Sequence, residues 1–148
     1  MERIVAAVDG SVSSLKGVAL AADLAKQYGA ELILLTIGRE LSPVMTAELE
    51  SYFRQEHVDA PLSDLTSGHV ESVLVGARLE AQSKGATRIS TRSSIGDPAE
   101  EIIALAKDEK ADLVVVGSRG HGRIAGLLLG SVAQKVVAHA SCPVLVVR

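Results

Sequence analysis

Aromatic residues are nearly missing from this 148-residue chain, which has no tryptophan, two tyrosines and one phenylalanine. A core of that composition is built from Val, Leu, Ile and Ala packed closely between layers, which favours a covered sheet over a barrel that cages a ligand. The same scarcity leaves no platform for stacking the bases of a nucleic acid. A net charge of −3, with pI near 5.8, supplies no basic field to hold a phosphate backbone either. Nucleic acid is not an expected partner. A single cysteine, Cys142, excludes an internal disulfide. No charged-then-apolar leader precedes the first strand, and no apolar run approaches the roughly 20 residues that span a bilayer. The longest run, near Ile124 to Leu129, contains glycine and has polar flanks. These absences lead us to expect a cytoplasmic protein with no membrane partner. Internal repeats and low-complexity tracts are also lacking.

What is present is a 47% share of apolar residues in alternating blocks, and a length that suits one domain over residues 1–148. Arg3 to Val8 is a short apolar run that stops at Asp9-Gly10-Ser11. From there Val12, Leu15, Val18, Ala19, Ala22 and Ala25 recur at spacings of a helix, with Ser11 as a candidate N-cap and Gly29 as the residue that closes it. Glu31 to Ile37 is too apolar for a strand with one wet face, so strand, helix and strand form a βαβ unit covered on both sides. Helical periodicity returns from about Pro43 to Val58 and from about Thr66 to Lys84, with a break at Asp59-Ala60-Pro61. Thr87 to Ser93 reads as a weaker strand at an edge. Asp97 then caps a helix with Pro98 in its first turn, which carries Ile102, Ile103 and Leu105 and ends in Lys107 to Lys110. Ala111 to Val116 is the strand with the strongest burial signature, a helix runs from about Ser131 to His139, and Pro143 to Val147 is a terminal strand. Five strands alternating with helices predict a doubly wound parallel sheet with helices on both faces, which binds ligands beyond the carboxyl ends of its strands where the strand order reverses.

Three of those ends carry chemistry. The first strand ends in Ala7-Val8-Asp9, the second in Thr36-Ile37-Gly38, and the fourth in Val116-Gly117-Ser118. Gly117, Gly120, Gly130 and Ser131 form the spacing G-x2-G-x9-G-S, with the Gly130-Ser131 pair opening a helix. Glycines let a backbone approach an anion, and the free N–H groups and dipole of a helix start favour negative charge. If the first and fourth strands flank the switch point, Asp9 faces the glycine loop across one crevice. A carboxylate there accepts both hydroxyls of a ribose while backbone N–H groups take phosphates, and Ile37 offers an apolar wall for a base. The pattern is neither the dinucleotide fingerprint, because the first strand–helix turn is not glycine-rich, nor a Walker loop, because no lysine follows the last glycine.

Over essentially its full length the chain resembles the universal stress protein family, in the subclass that binds ATP. The likeness rests on I-V-A-A-V-D-G-S, L-L-T-I, G-D-P-A-E-E-I, A-D-L-V-V-V-G-S-R-G and the closing C-P-V-L-V-V-R, together with the glycine spacing. The resemblance implies strand order 3-2-1-4-5, frequent dimerisation and an adenine nucleotide (ATP, ADP or AMP), with Mg²⁺ as a possible companion. It implies that Asp9 contacts the ribose and that Ala7 and Ile37, next to Val8, border the adenine. Val116, Gly117, Arg119 and Gly120 would then line sugar and phosphates, and Gly130, Ser131 and Val132 would hold the phosphate chain. Two departures stand out. Ala133 occupies a position where some ATP-binding members have a hydroxyl, and Ala7 replaces a proline that some carry.

Plainer readings stand beside these. Asp9 competes with Ser11 as cap of the first helix, and Ser131 serves as an N-cap whether or not it meets an anion. Arg119, His121 and Arg123 are either a solvated loop face or the cations that offset nucleotide charge. Gly122 and Gly126 fit loop flexibility, and His57, His69 and His139 lack metal-ligand spacing. Cys142 reads as a small buried residue. No catalytic set is evident, so binding without efficient turnover is the first reading. A slow Mg²⁺-dependent ATPase and a nucleotide-free structural dimer are the alternatives. The apolar terminal strand, Val144 to Val147, would leave an unpaired edge, and antiparallel pairing with a second copy covers it. The segment from Gly38 to Thr66 is the place for member-specific behaviour, including a lid over the base.

Overall fold

The structure is a computed structural model that describes residues 1–39, 42–57, 62–120 and 129–148. Its elements run β1 (Arg3–Ala7), α1 (Val12–Tyr28), β2 (Glu31–Gly38), α2 (Pro43–Gln55), α3 (Leu62–Ser83), β3 (Ile89–Ile95), α4 (Pro98–Asp108), β4 (Leu113–Gly117), α5 (Ser131–His139) and β5 (Val144–Val147). All five strands are parallel in the order β3-β2-β1-β4-β5. The chain leaves β1 toward one margin through β2 and β3, then crosses back to build β4 and β5 on the other side. The order therefore reverses between β1 and β4, and in sheets of this kind the crevice that takes ligands lies beyond the carboxyl ends of the strands at that switch point.

The local signals act as expected at the first helix. Ser11 accepts a hydrogen bond from the Ser14 N–H (3.3 Å), and Gly29 closes α1 in the left-handed conformation at φ 66. Asp97 caps α4 by accepting from the Glu100 N–H (3.0 Å), with Pro98 in the first turn. Two expected boundaries move. β3 begins and ends two residues later than its hydrophobicity suggests, because its extent follows the ladder with β2 from Leu32↔Ile89 to Gly38↔Ile95. β4 begins at Leu113 because the Ala111 N–H closes α4 on the Ala106 carbonyl (2.8 Å) and Asp112 is tied to the chain start, accepting from the backbone N–H groups of Glu2 and Arg3. α3 starts at Leu62, ahead of the expected Thr66, while the expected break at Asp59-Ala60-Pro61 lies outside the described residues.

Two apolar layers sandwich the sheet. Ile4, Ala6, Val8, Leu32, Leu34 and Val115 pack against Val18, Ala21 and Ala22 of α1 and Ala77 and Ala81 of α3. Val5, Ile33, Leu35, Val114 and Val116 pack against Ile102 and Ala106 of α4 and Ala133 and Val136 of α5. Alanine where helices meet the sheet lets them approach closely, so a core nearly free of aromatics still fills. Each fully buried Leu, Ile or Val contributes about 1.5–3 kcal/mol. α2 stands apart, with no buried residue and with Val44, Met45 and Tyr52 exposed.

Candidate functional site

The alternation of a strand decides which residues share the crevice. Ala7, Ile37, Val116 and Val132 all belong to the layer on the α4/α5 face, so the expected apolar walls come together there. Val8 does not join them. Its side chain is buried on the α1/α3 face, its N–H donates to the Leu35 carbonyl (2.8 Å), and its own carbonyl accepts from Thr36 Oγ1 (2.9 Å). One residue of register therefore separates Val8 from its neighbours Ala7 and Asp9.

Asp9 follows β1 at the crevice, and its role divides cleanly from that of Ser11. Ser11 is the cap of α1, whereas Asp9 Oδ1 accepts from the Ser11 N–H (2.9 Å) and so holds its carboxylate in a fixed turn. The other oxygen faces the glycine loop: a Cβ built on Gly120 would lie 2.9 Å from Asp9 Oδ2. A side chain there would require the Asp9 carboxylate to shift. Gly117 is tighter still, since a Cβ there would come within 2.6 Å of Ser13 Oγ and 2.9 Å of the Ser14 backbone nitrogen. The loop is fastened to the start of α1, where Ser13 Oγ donates to the Arg119 carbonyl at 2.7 Å and Ser11 Oγ reaches the same oxygen at 3.4 Å.

Both ends of the glycine segment meet. Ser118 is buried, its N–H donates to the Val147 carbonyl (2.6 Å), and its carbonyl accepts from the Gly130 N–H (2.7 Å). The N-cap of α5 is Gly130, not Ser131, which is the first helical residue; among the described residues no side chain caps the helix. The first turn thus presents the N–H groups at Ser131 and Val132 with no side-chain oxygen from the chain's own cap, as an anion site requires. Arg119 stands exposed beside it, and the His121 and Arg123 expected alongside lie outside the described residues, as do Gly122 and Gly126. Arg119 and Gly120 also border a cavity of about 450 Å³ that extends to Ser13, Lys16 and Arg148. Among the described residues no group of three or more His, Cys, Asp or Glu side chains is placed to hold a metal ion.

Two features escape the sequence reading. Ser94 is in register with Ile37 and so shares its face, and its Oγ is buried without a hydrogen-bond partner among the described residues. In the sequence Ser94 only lowers the hydrophobicity of an edge strand. Lys135 of α5 bridges Asp97 Oδ1 (3.3 Å) and Glu100 Oε1 (3.0 Å) at the start of α4. The Glu100 N–H, with Lys135 beside it, holds the Asp97 carboxyl below its ordinary range, and the two carboxylates raise the Lys135 ammonium. A separation of 38 residues hides this pair from any local pattern.

The family profile of the universal stress protein family matches residues 1–148. The universal stress protein YxiE of Bacillus subtilis is 36% identical over 148 residues, covering 99% of this chain and 98% of its own length. Among solved structures, a universal stress protein in complex with cAMP aligns with a TM-score of 0.71 at 32% identity, covering 99% of this chain and 96% of that one. UspA from Lactobacillus plantarum reaches a TM-score of 0.80 at 24% identity, covering 99% and 97%. No helix among the described residues is long and apolar enough to cross a membrane. With a profile spanning every residue, a relative alike from end to end and a matching five-stranded topology, this chain belongs to the universal stress protein family.

Proposed function

We propose that the chain binds an adenine nucleotide at the β1–β4 crevice, with ATP as the ligand, and that occupancy rather than turnover is its output. The observation that carries this reading is the pairing of Asp9 with the glycine loop. Its carboxylate is fixed by the Ser11 N–H and lies where a side chain at Gly120 would collide, and the uncapped start of α5 lies across the same loop. Ribose hydroxyls are donors that suit this carboxylate, and phosphates suit the α5 N–H groups. Ala7, Ile37 and Val116 form the apolar surface on which the base rests, with Gly117, Arg119, Gly120, Gly130, Ser131 and Val132 around sugar and phosphates. Mg²⁺ would accompany a triphosphate as its counter-ion. The relative solved with cAMP, at 32% identity, supports an adenine nucleotide as the ligand class.

Mass spectrometry of freshly purified, denatured protein and calorimetric titration with ATP, ADP, AMP and cAMP test the proposal. We expect an adenine nucleotide to co-purify and Asp9→Ala to weaken ATP binding by about 1.5–3 kcal/mol, the range for a hydrogen bond to a charged group. Absence of nucleotide and of any binding heat would sink it. Release of ADP well above background, lost in Asp9→Ala with the fold intact, would instead make the chain an ATPase.

The same reading includes a homodimer through β5. The Val114 N–H donates to the Pro143 carbonyl and the Ser118 N–H to the Val147 carbonyl, so odd-numbered residues face β4. Val144 and Val146 turn their backbone groups outward. Antiparallel pairing with a second copy satisfies them and closes on a two-fold axis.

A further inference from the structure

We propose that the outer edge of β3, with the groove between it and α3, docks an extended peptide that adds to the sheet as a strand and brings a carboxylate to Arg78. β3 is the sheet's other margin, with β2 as its one neighbour among the described residues. The Leu32 N–H donates to the Arg88 carbonyl (2.8 Å) and the Gly96 N–H to the Gly38 carbonyl (3.1 Å), so even-numbered residues of this segment pair with β2. By alternation the N–H and carbonyl groups of Thr91, Ser93 and Ile95 point out of the sheet. The Thr91 carbonyl accepts from Arg92 Nη1 (3.1 Å), an exposed contact that an incoming strand can displace.

The same residues decide what lies beside that edge. Ser93 and Ile95 are in register with Thr36 and Gly38, which puts their side chains on the α3 face. There a groove of about 710 Å³ is lined by Val70, Leu74, Val75, Arg78, Thr91 and Ile95. Ile95 is 68% exposed and Val75 53%, so large apolar side chains flank an open backbone edge. Main-chain donors and acceptors repeating at every second residue match another extended backbone, and apolar pockets on one face match its alternate side chains. Arg39 and Arg78 outnumber Glu71 along the groove, and neither arginine is in an ion pair among the described residues. An acidic side chain or a terminal carboxylate on the peptide complements them.

A second copy of the chain fits this edge poorly. Full antiparallel overlap of two seven-residue β3 strands centres on Arg92, which would oppose its own counterpart. Like charges directly opposite destabilise a pair, and a shifted register shortens the ladder.

The test selects linear peptides from a random display library against the full chain with ATP present. The binders are then mapped by amide hydrogen exchange. We expect recovered sequences to alternate apolar residues and carry an acid, and to slow exchange at Thr91, Ser93 and Ile95 without changing Val144 or Val146. Ser93→Pro removes one outward donor and leaves the β2 ladder intact, and Arg78→Glu reverses the groove charge. Each should weaken the selected peptide at least about tenfold, as loss of a main-chain bond or of a charged contact implies. No binder, or binders that protect β5 or the glycine loop, would overturn the proposal. So would affinity unchanged by both variants, or β3 protection that rises with protein concentration without peptide, the signature of self-pairing.

Discussion

β5 at one margin of the sheet is Val-Leu-Val-Val, and β3 at the other is Ile-Ser-Thr-Arg-Ser-Ser-Ile. Each leaves one row of backbone groups turned outward, yet the chemistry around the two rows differs. All four residues of β5 are half-buried, with Leu145 and Val147 packed on one apolar layer and Val144 and Val146 on the other. No charge interrupts that strand, so its own copy is an acceptable partner. β3 carries an arginine at its centre, hydroxyls on either side and an apolar groove along one face. An unpaired edge is a liability in any sheet, and side-chain chemistry decides whether a copy or a different chain relieves it.

Proline scanning separates the two margins most sharply. Val146→Pro deletes an outward donor of β5 while sparing the bonds to β4. We expect dimer dissociation to strengthen by about 100-fold or more in sedimentation equilibrium, as loss of several interfacial kcal/mol requires. Ser93→Pro, its counterpart on β3, should leave the sedimentation profile unchanged. If both variants dissociated the protein, the two edges would share one role.

Gly117→Ala comes next. The added Cβ meets the Ser13 hydroxyl and the Ser14 backbone nitrogen, and backbone cannot move aside as a flexible side chain does. The start of α1 must shift, at a cost of about 1–3 kcal/mol in denaturant unfolding, the range for overpacking. Because Gly117 pairs with Val147, hydrogen exchange should accelerate in β5 more than in β3.

Acid should act more gently, and between the margins. Asp112 accepts from the Glu2 and Arg3 N–H groups, which lowers its carboxyl below the ordinary 3.8, and Asp97 is lowered by the Glu100 N–H and Lys135. A depressed carboxyl stabilises the fold fully above its unfolded value and loses that contribution as pH falls through the folded one. Urea midpoints should therefore hold from neutral pH down to about pH 4 as far as these groups are concerned, then drop. Asp112→Asn should flatten part of the drop; a variant that follows the parent curve throughout would contradict the assignment. The smallest effect concerns Cys142, just before β5. Burial, aided by the nearby Asp112 charge, raises its thiol, so alkylation at pH 8 should be slower in the folded chain than in urea.

Much of this architecture was legible from local chemistry. Apolar runs marked β1, β2 and β4, and Ser11, Gly29 and Asp97 marked helix ends because capping involves neighbours only three or four residues apart. The glycine spacing and Asp9 were legible for a similar reason, since each follows a strand that hydrophobicity reveals. Hydrophobicity alone sets β3 two residues early because a polar edge strand takes its limits from the strand it pairs with. Sequence alone groups Val8 with Ala7 and Asp9, because adjacency says nothing about which face of a sheet a side chain takes until the pairing is known. Sequence alone marks Ser131 as a cap although Gly130 holds that position, a shift of one residue that only backbone dihedrals resolve.

The sequence by itself determined the layers, the order of strands and helices along the chain, and a loop able to approach an anion, because periodicity, capping and glycine act over a few residues. The tertiary structure alone decided the contacts between particular residues: that Asp9 Oδ2 closes on Gly120 across more than a hundred residues, that Lys135 bridges to Asp97, and that Val8 turns to the face opposite Ala7. These depend on which strands lie side by side, and that is set by the collective burial of both faces of the sheet.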